Sequence, residues 1–166
     1  MSRLSERDRE FTEFVTARRA ALVRTATLLL AGDAARAEDA VQTALTNLFL
    51  AWSRVRPENV NAYARRCVVN AATDEHRRLF HRREQVQAEL PEVAVDQNGD
   101  DESALSLLST LPAGMRAAVV LRYIEGLSIA ETAHAMRCSE GNVKSQSNRG
   151  LQRLRELLPS TMHRVG

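Results

Sequence analysis

Between Ser128 and Arg155 the chain reads SIAETAHAM, RCS, EGNVKSQSNRGLQRLR: two helical segments joined by a three-residue turn. This pattern constrains the fold more than any other, because local chemistry specifies both helix starts and the turn. Ser128 followed by Glu131 is a capping box, in which the hydroxyl caps a backbone amide and the carboxylate returns the bond. Ile129, Ala133 and Met136 recur at a spacing that faces a core. Arg137-Cys138-Ser139 forms the turn, with Ser139 as N-cap of the next helix. Along that helix Val143, Ser147, Leu151, Leu154 and Leu158 recur at steps of three or four and predict a buried edge. The opposite face presents Lys144, Ser145, Asn148, Arg149, Gln152 and Arg155. The arrangement is that of a helix-turn-helix, whose second helix enters the DNA major groove. Short polar side chains there reach base edges, and longer basic ones hold phosphates. A plain amphipathic hairpin with a solvated face is the bland alternative, but the capping box, the turn length and the sparsely charged outer face together favour DNA.

Elsewhere apolar residues also recur at helical rather than alternating spacing, and only 4% of residues are aromatic. The expected class is all-α. A chain of 166 residues makes one medium domain or two small ones. No apolar run approaches the roughly 20 residues that span a bilayer, and the start MSRLSERDREF lacks the apolar core of a signal peptide. Cys67 and Cys138 stand far apart in different predicted elements, which argues against a disulfide framework. A cytoplasmic protein with no direct membrane insertion is expected. No nucleophile–base pair, phosphate loop or metal-ligand cluster is found, so neither catalysis, nor a cofactor, nor a metal is expected. His134 and Cys138 sit four apart, but no second pair accompanies them.

Charge divides the chain. Residues 1–90 carry 15 Arg and 12 acids, residues 91–103 five acids and no base, and residues 104–166 eight bases and four acids. A helix over 5–30 ends at Gly32, and Asp33 caps a second helix over about 34–55. In the second helix Ala37, Ala40, Val41, Ala44, Leu45, Leu48, Phe49, Trp52 and Val55 fall on one face. A third runs from near Asn59 to about Arg83, with Tyr63, Cys67, Val68 and Ala71 inward and Arg65, Arg66, Asn70, Asp74, Arg77 and Arg78 mostly outward. Periodicity fades between Gln85 and Ser103, a flexible acidic linker by composition. It resumes at Ala104: Leu105, Leu107, Leu108 and Leu111 pack one helix, and Met115, Val119, Val120 and Tyr123 the next, which Gly126 ends. The layout is two small helical domains on a tether: 5–85, a linker at 86–103, and 104–160.

The string LPAGMRAAVVLRYIEGLSIAETAHAMRCSEGNVKSQSNRGLQRLREL resembles the promoter-reading region 4 of bacterial sigma factors of the sigma-70 superfamily, in the extracytoplasmic-function group. The Leu-Pro, Arg116, Leu121-Arg122-Tyr123 and Val143-Lys144-Ser145 carry that likeness. Ala37-Glu38-Asp39-Ala40-Val41-Gln42 with Leu45, Leu48 and Trp52 resembles the polymerase-binding helix of region 2. Asn61 to Arg66, Asn70, and Asp74 to Arg78 resemble its promoter-melting segment. The likeness covers about 20–85 and 104–158, and the Gln42-Thr43-Ala44-Leu45 and Lys144-Ser145-Gln146 variants point to the actinobacterial SigE-like subfamily.

The resemblance implies a role for each surface. Glu38, Asp39 and Gln42 would bind the β′ coiled coil of core RNA polymerase, and the β flap is a further expected contact. Arg65, Arg66, Asn70, Arg77 and Arg78 would face the minus-ten element, with a loop near Pro57 to Val60 capturing a flipped base. An ordinary Asp74–Arg78 pair at helical spacing is the plain alternative for those two residues. Lys144, Ser145, Gln146, Asn148 and Arg149 would read the minus-thirty-five element. Gln146 stands where the wider family often has arginine, and glutamine pairs with adenine where arginine prefers guanine or phosphate. Implied partners are core polymerase, promoter DNA and an anti-sigma factor. The competing reading is a stand-alone dimeric helix-turn-helix regulator, which predicts a palindromic site and a dimer helix.

Overall fold

The computed structural model describes the backbone at residues 5–86 and 100–158 and the side chains at 5–78 and 104–158. The expected linker at 86–103 therefore falls largely outside the described residues, as does the side chain of His81. Every regular element among the described residues is helical: α1 Glu6–Leu29, α2 Ala34–Ala51, α3 Val60–Val86, α4 Asp100–Ser109, α5 Ala113–Val119, α6 Ile129–Met136 and α7 Glu140–Leu157. Helix α4 begins within the acidic stretch that composition marks as linker. The same acids suit a helix's first turn, where the dipole favours negative charge. Contacts divide the chain into two compact units, Met1–Thr27 with Asp33–Glu89, and Leu28–Gly32 with Leu90–Gly166.

In the first unit, α2 starts where Asp33 accepts a hydrogen bond from the Arg36 amide (3.1 Å). The chain reaches that cap through Ala31 and Gly32, both at positive φ. The seam between α2 and α3 is built of small side chains. Ala37, Ala40 and Ala44 of α2 and Ala64, Ala71 and Ala72 of α3 are all buried, with Val41, Leu48, Val68 and Val69 filling the space between. Alanines let two helix axes come close. Helix α1 meets α2 through longer side chains. Phe11 packs edge-on against Phe49 and Trp52 (centroids 5.0 and 5.4 Å), and Arg19 pairs with Glu38 (2.5 Å). Two short 3-10 turns, Trp52–Arg54 and Pro57–Asn59, connect α2 to α3.

The face of α2 differs from expectation at its end. Phe49 is 37% exposed and Leu50 66%. Leu45, Trp52, Val55 and, on α3, Tyr63 are only half-buried. Phe49 and Trp52 meet Phe11 of α1 edge to face, and the Arg7 guanidinium lies over the Phe49 ring (4.9 Å to its centroid), so these aromatics pack at the edge of the core against α1.

In the second unit, α5 and α7 touch at Gly150. A Cβ there would stand 2.7 Å from a Val119 methyl and 3.4 Å from the Met115 carbonyl oxygen. Arg116 is buried. Its guanidinium donates to the carbonyls of Leu108 (3.1 Å) and Leu111 (2.8 Å), which end the α4 segment. Burial draws its pKa below the ordinary guanidinium value. After Val119 the chain opens into a π turn, Val120–Ile124, closed by the Glu125 amide bonding back to Val120 (2.9 Å). The wider turn shifts the register, so the buried stripe ends at Leu121 and Tyr123, expected inside, is 51% exposed. Gly126 follows at φ +72°.

Candidate nucleic-acid and polymerase-binding surfaces

Helices α6 and α7 form the helix-turn-helix through paired caps. The Ser128 hydroxyl accepts from the Glu131 amide and the Glu131 carboxylate from the Ser128 amide, both at 3.0 Å. Ser139 caps α7 by accepting from the Asn142 amide (3.0 Å). Between them Arg137 takes the left-handed conformation (φ 55°) and the Cys138 amide reaches back to the Ala133 carbonyl (3.0 Å). That six-residue closure is a Schellman turn, a position usually given to glycine. Thr132, Ala133 and Ala135 of α6 and Val143, Ser147 and Gly150 of α7 are buried. Ile129, Met136, Leu151, Leu154 and Leu158 are half-buried flanks.

This packing turns Lys144, Ser145, Asn148 and Arg149 to solvent on one face of α7. They span about 7.5 Å of helix axis, two base-pair steps at ~3.4 Å each. Gln146 does not share that face. It is half-buried and lies against α5, its amide nitrogen 3.1 Å from where a Cβ on Gly114 would stand. Sequence reasoning missed this because Gln146 sits at the border of the stripe, where periodicity alone does not assign a side.

On α3, Arg66, Asn70 and Arg77 follow one another at steps of four and seven and so share a face, with Arg65 and Arg78 to either side. Arg65, Arg66 and Asn70 are half-buried, and Arg77 and Arg78 exposed. Arg78 approaches Glu75 (3.5 Å) rather than Asp74, and Glu75 also faces Arg36 of α2 (3.6 Å). His76 is half-buried. Where α2 passes into α3 there is a cavity of about 460 Å³, lined by Ala51, Arg54, Val55, Arg56, Asn59 and Tyr63. The loop position was legible in the sequence; its arginine-bearing walls were not.

On α2, Asp39 and Gln42 are exposed and their side chains meet no described partner. Glu38 is held by Arg19 and is less available. Phe49 and Leu50 continue the same open side of the helix. Cys67 is buried, and burial raises its thiol pKa against the smaller opposing effect of Arg66. No group of three or more His, Cys, Asp or Glu that could hold a metal occurs among the described residues, and no described helix is long and apolar enough to cross a membrane.

A capped helix-turn-helix with an open polar face, in a chain that carries a second helical unit with an arginine-lined helix, defines a DNA-reading protein with a separate docking module. Comparison with known proteins narrows this class. The model of sigma-70 region 2 matches residues 14–83 and that of sigma-70 region 4 matches residues 101–154. The RNA polymerase sigma-E factor of Streptomyces avermitilis is 38% identical over 157 residues, covering 91% of this chain and 86% of that one. The ECF RNA polymerase sigma factor SigM of Mycobacterium tuberculosis is 35% identical over 128 residues, covering 74% and 64%. The sigma factor RpoE of Bartonella quintana, solved with the anti-sigma factor NepR, superposes with a TM-score of 0.75 at 23% identity, covering 89% and 96%. The chain belongs to the sigma-70 family of RNA polymerase sigma factors, in its extracytoplasmic-function group.

Proposed function

We propose that the chain acts as a dissociable promoter-specificity subunit: it binds core RNA polymerase and directs initiation at a defined set of promoters, with no catalysis of its own. The observation that carries this is the pairing, in one chain, of the open α7 face (Lys144, Ser145, Asn148, Arg149) with the unpartnered Asp39 and Gln42 on α2. The first unit serves as region 2, residues 86–103 as linker and residues 104–160 as region 4. Asp39 and Gln42, continued by Phe49 and Leu50, meet the β′ coiled coil; a carboxylate and an amide on a rigid helix suit an arginine-bearing partner. Arg66, Asn70 and Arg77 track the minus-ten strand, with Arg65 and Arg78 on its backbone. The cavity between α2 and α3 receives a base unstacked from the duplex, because Asn59 and the arginines supply hydrogen-bond donors and Tyr63 a ring wall.

The mechanism is bivalent. Each module reads DNA weakly, and fixing both on the polymerase combines their affinities. The site of action is the cytoplasm, where polymerase and chromosome are. An anti-sigma factor, the class of partner solved with the Bartonella quintana relative, is the proposed inhibitor. Run-off transcription on a library of genomic fragments, with and without the protein added to core polymerase, tests the reading. New discrete start sites that need the protein support it. Absence of both transcripts and co-elution with core enzyme contradicts it, and specific binding to a palindrome by the protein alone would favour the stand-alone regulator.

A further inference from the structure

Arg7, Phe11 and Phe14 follow one another on α1 at steps of four and three, so they form one stripe. Facing them are Phe49, near the end of α2, and Trp52, the first residue of the turn that follows. Phe11 meets both of those rings (5.0 and 5.4 Å between centroids), Phe14 meets Trp52 (5.6 Å), and the Arg7 guanidinium lies over Phe49 (4.9 Å). Arg7 Nη2 donates to the Phe49 carbonyl oxygen at 2.7 Å. That oxygen also accepts from the Trp52 amide, the bond at which α2 tightens into the 3-10 turn Trp52–Arg54. A carbonyl has two lone pairs, and here both are taken. The guanidinium sits at the negative end of the α2 dipole, and it keeps this place although its Nε is left buried with no partner among the described residues.

We propose that Arg7, acting through the Phe49 carbonyl and Trp52, is a positioning residue for base capture. It fixes the pitch of the 3-10 turn, and with it one wall of the cavity where α2 passes into α3. The proposal rests on the base-capture role given to that cavity above and deepens it. Ala51 and Arg54, which line the cavity, stand just before the turn and at its end. A 3-10 turn advances about 120° and 2.0 Å per residue, an α-helix about 100° and 1.5 Å. Were Trp52–Arg54 to relax into a continuation of α2, Arg54 would swing by about 60° around the axis and shift by about 1.5 Å along it. That is enough to take its side chain off the wall that a base meets. The Phe49 carbonyl is where the two forms part, because it accepts from the residue three on in a 3-10 turn and four on in an α-helix. With Arg7 on its second lone pair, the oxygen is satisfied without the Ser53 amide that an α-helix would bring to it. The bonds of a 3-10 turn are the poorer ones, so an outside hold decides which form persists, and the α1 stripe supplies it.

The test uses holoenzyme reconstituted from core polymerase and the full chain, and forked promoter DNA from a start site mapped by run-off transcription. Each minus-ten base of the displaced strand is replaced in turn by an abasic site, and the affinity ratio of base-bearing to abasic DNA is measured. The ratio cancels any change in the folded fraction, which is all that a merely structural role would move. Wild type should show one position with a ratio of about ten. Arg7→Ala should bring that ratio below about two, with co-elution with core polymerase unchanged. Arg7→Met, which keeps the stem on Phe49 and loses the donor, should do the same. Arg7→Lys, which keeps a charged donor, should retain most of the ratio. Ala44→Gly, which weakens the same unit at the α2–α3 seam, should retain all of it. A full ratio in Arg7→Ala or Arg7→Met, or an equal fall in Ala44→Gly, overturns the positioning role while base capture stands. A wild-type holoenzyme with no sensitive position removes base capture and the positioning role with it, and leaves the sigma role to the run-off assay.

Discussion

Helices α2 and α7 are both 18 residues long, and each buries one edge and opens the other. Their buried edges are made differently. On α2 six residues are buried, spread from Ala37 to Ala51. On α7 only Val143, Ser147 and Gly150 are buried, all in its first eleven residues, and closest approach is concentrated at Gly150. The docking face proposed for α2 would be held by this long seam. The first turns of α7, where DNA reading is proposed, are fixed by the Ser139 cap and the Gly150 contact, while Leu151 and Leu154 remain half-buried. Helix α7 is therefore anchored at a few buried positions, whereas α2 spreads its buried edge over many.

Substitutions can break this contrast. The largest effect is expected at Arg116. Replacing it by alanine removes the donors to the Leu108 and Leu111 carbonyls in a buried setting and should lower stability by about 3 kcal/mol. Denaturant unfolding of the full chain measures it, and a loss below about 1 kcal/mol would show that the carbonyls find other partners. Gly150→Ala comes next. The added methyl meets Val119 at 2.7 Å, so overpacking outweighs alanine's better helix propensity, for a net loss of about 2 kcal/mol. If the units are independent in stability, the buried Cys67 thiol should stay as slow to alkylate in that variant as in the wild type.

The opposite change in the distributed seam, Ala44→Gly, should cost about 1.5 kcal/mol, from helix propensity and one lost buried methyl. A loss well above that of Gly150→Ala would reverse the comparison. Smallest, and of opposite sign, is Arg137→Gly. It relieves a left-handed residue in the turn and should raise the melting temperature slightly, by about 1 kcal/mol of stability.

What could be read from the sequence follows from the range of the forces involved. The helix-turn-helix was legible because its signals are local: Ser128, Glu131 and Ser139 act within three residues of themselves. The all-helical class and the Asp33 cap were legible for the same reason. Gly150 was not, since a helical glycine reveals its purpose only when Val119 arrives from another helix. The π turn at Val120–Ile124 carries no compositional mark, and Tyr123 was assigned inward by a period that the turn interrupts. The pairing of Glu38 with Arg19 was not legible, since the arginine arrives from another helix, α1. The exposed faces of α2 and α7 were legible and their borders were not: Gln146 and Phe49 both sit where a stripe ends.

The central claim is that docking and DNA reading reside on separate helices, α2 and α7. The most direct measurement pairs two charge reversals, Asp39→Arg and Lys144→Glu, each assayed for co-elution with core polymerase and for run-off transcription. The account predicts that Asp39→Arg loses co-elution and with it all initiation, whereas Lys144→Glu co-elutes normally and fails to start transcripts at the mapped promoters. Loss of co-elution in Lys144→Glu, or normal initiation by both variants, would contradict it.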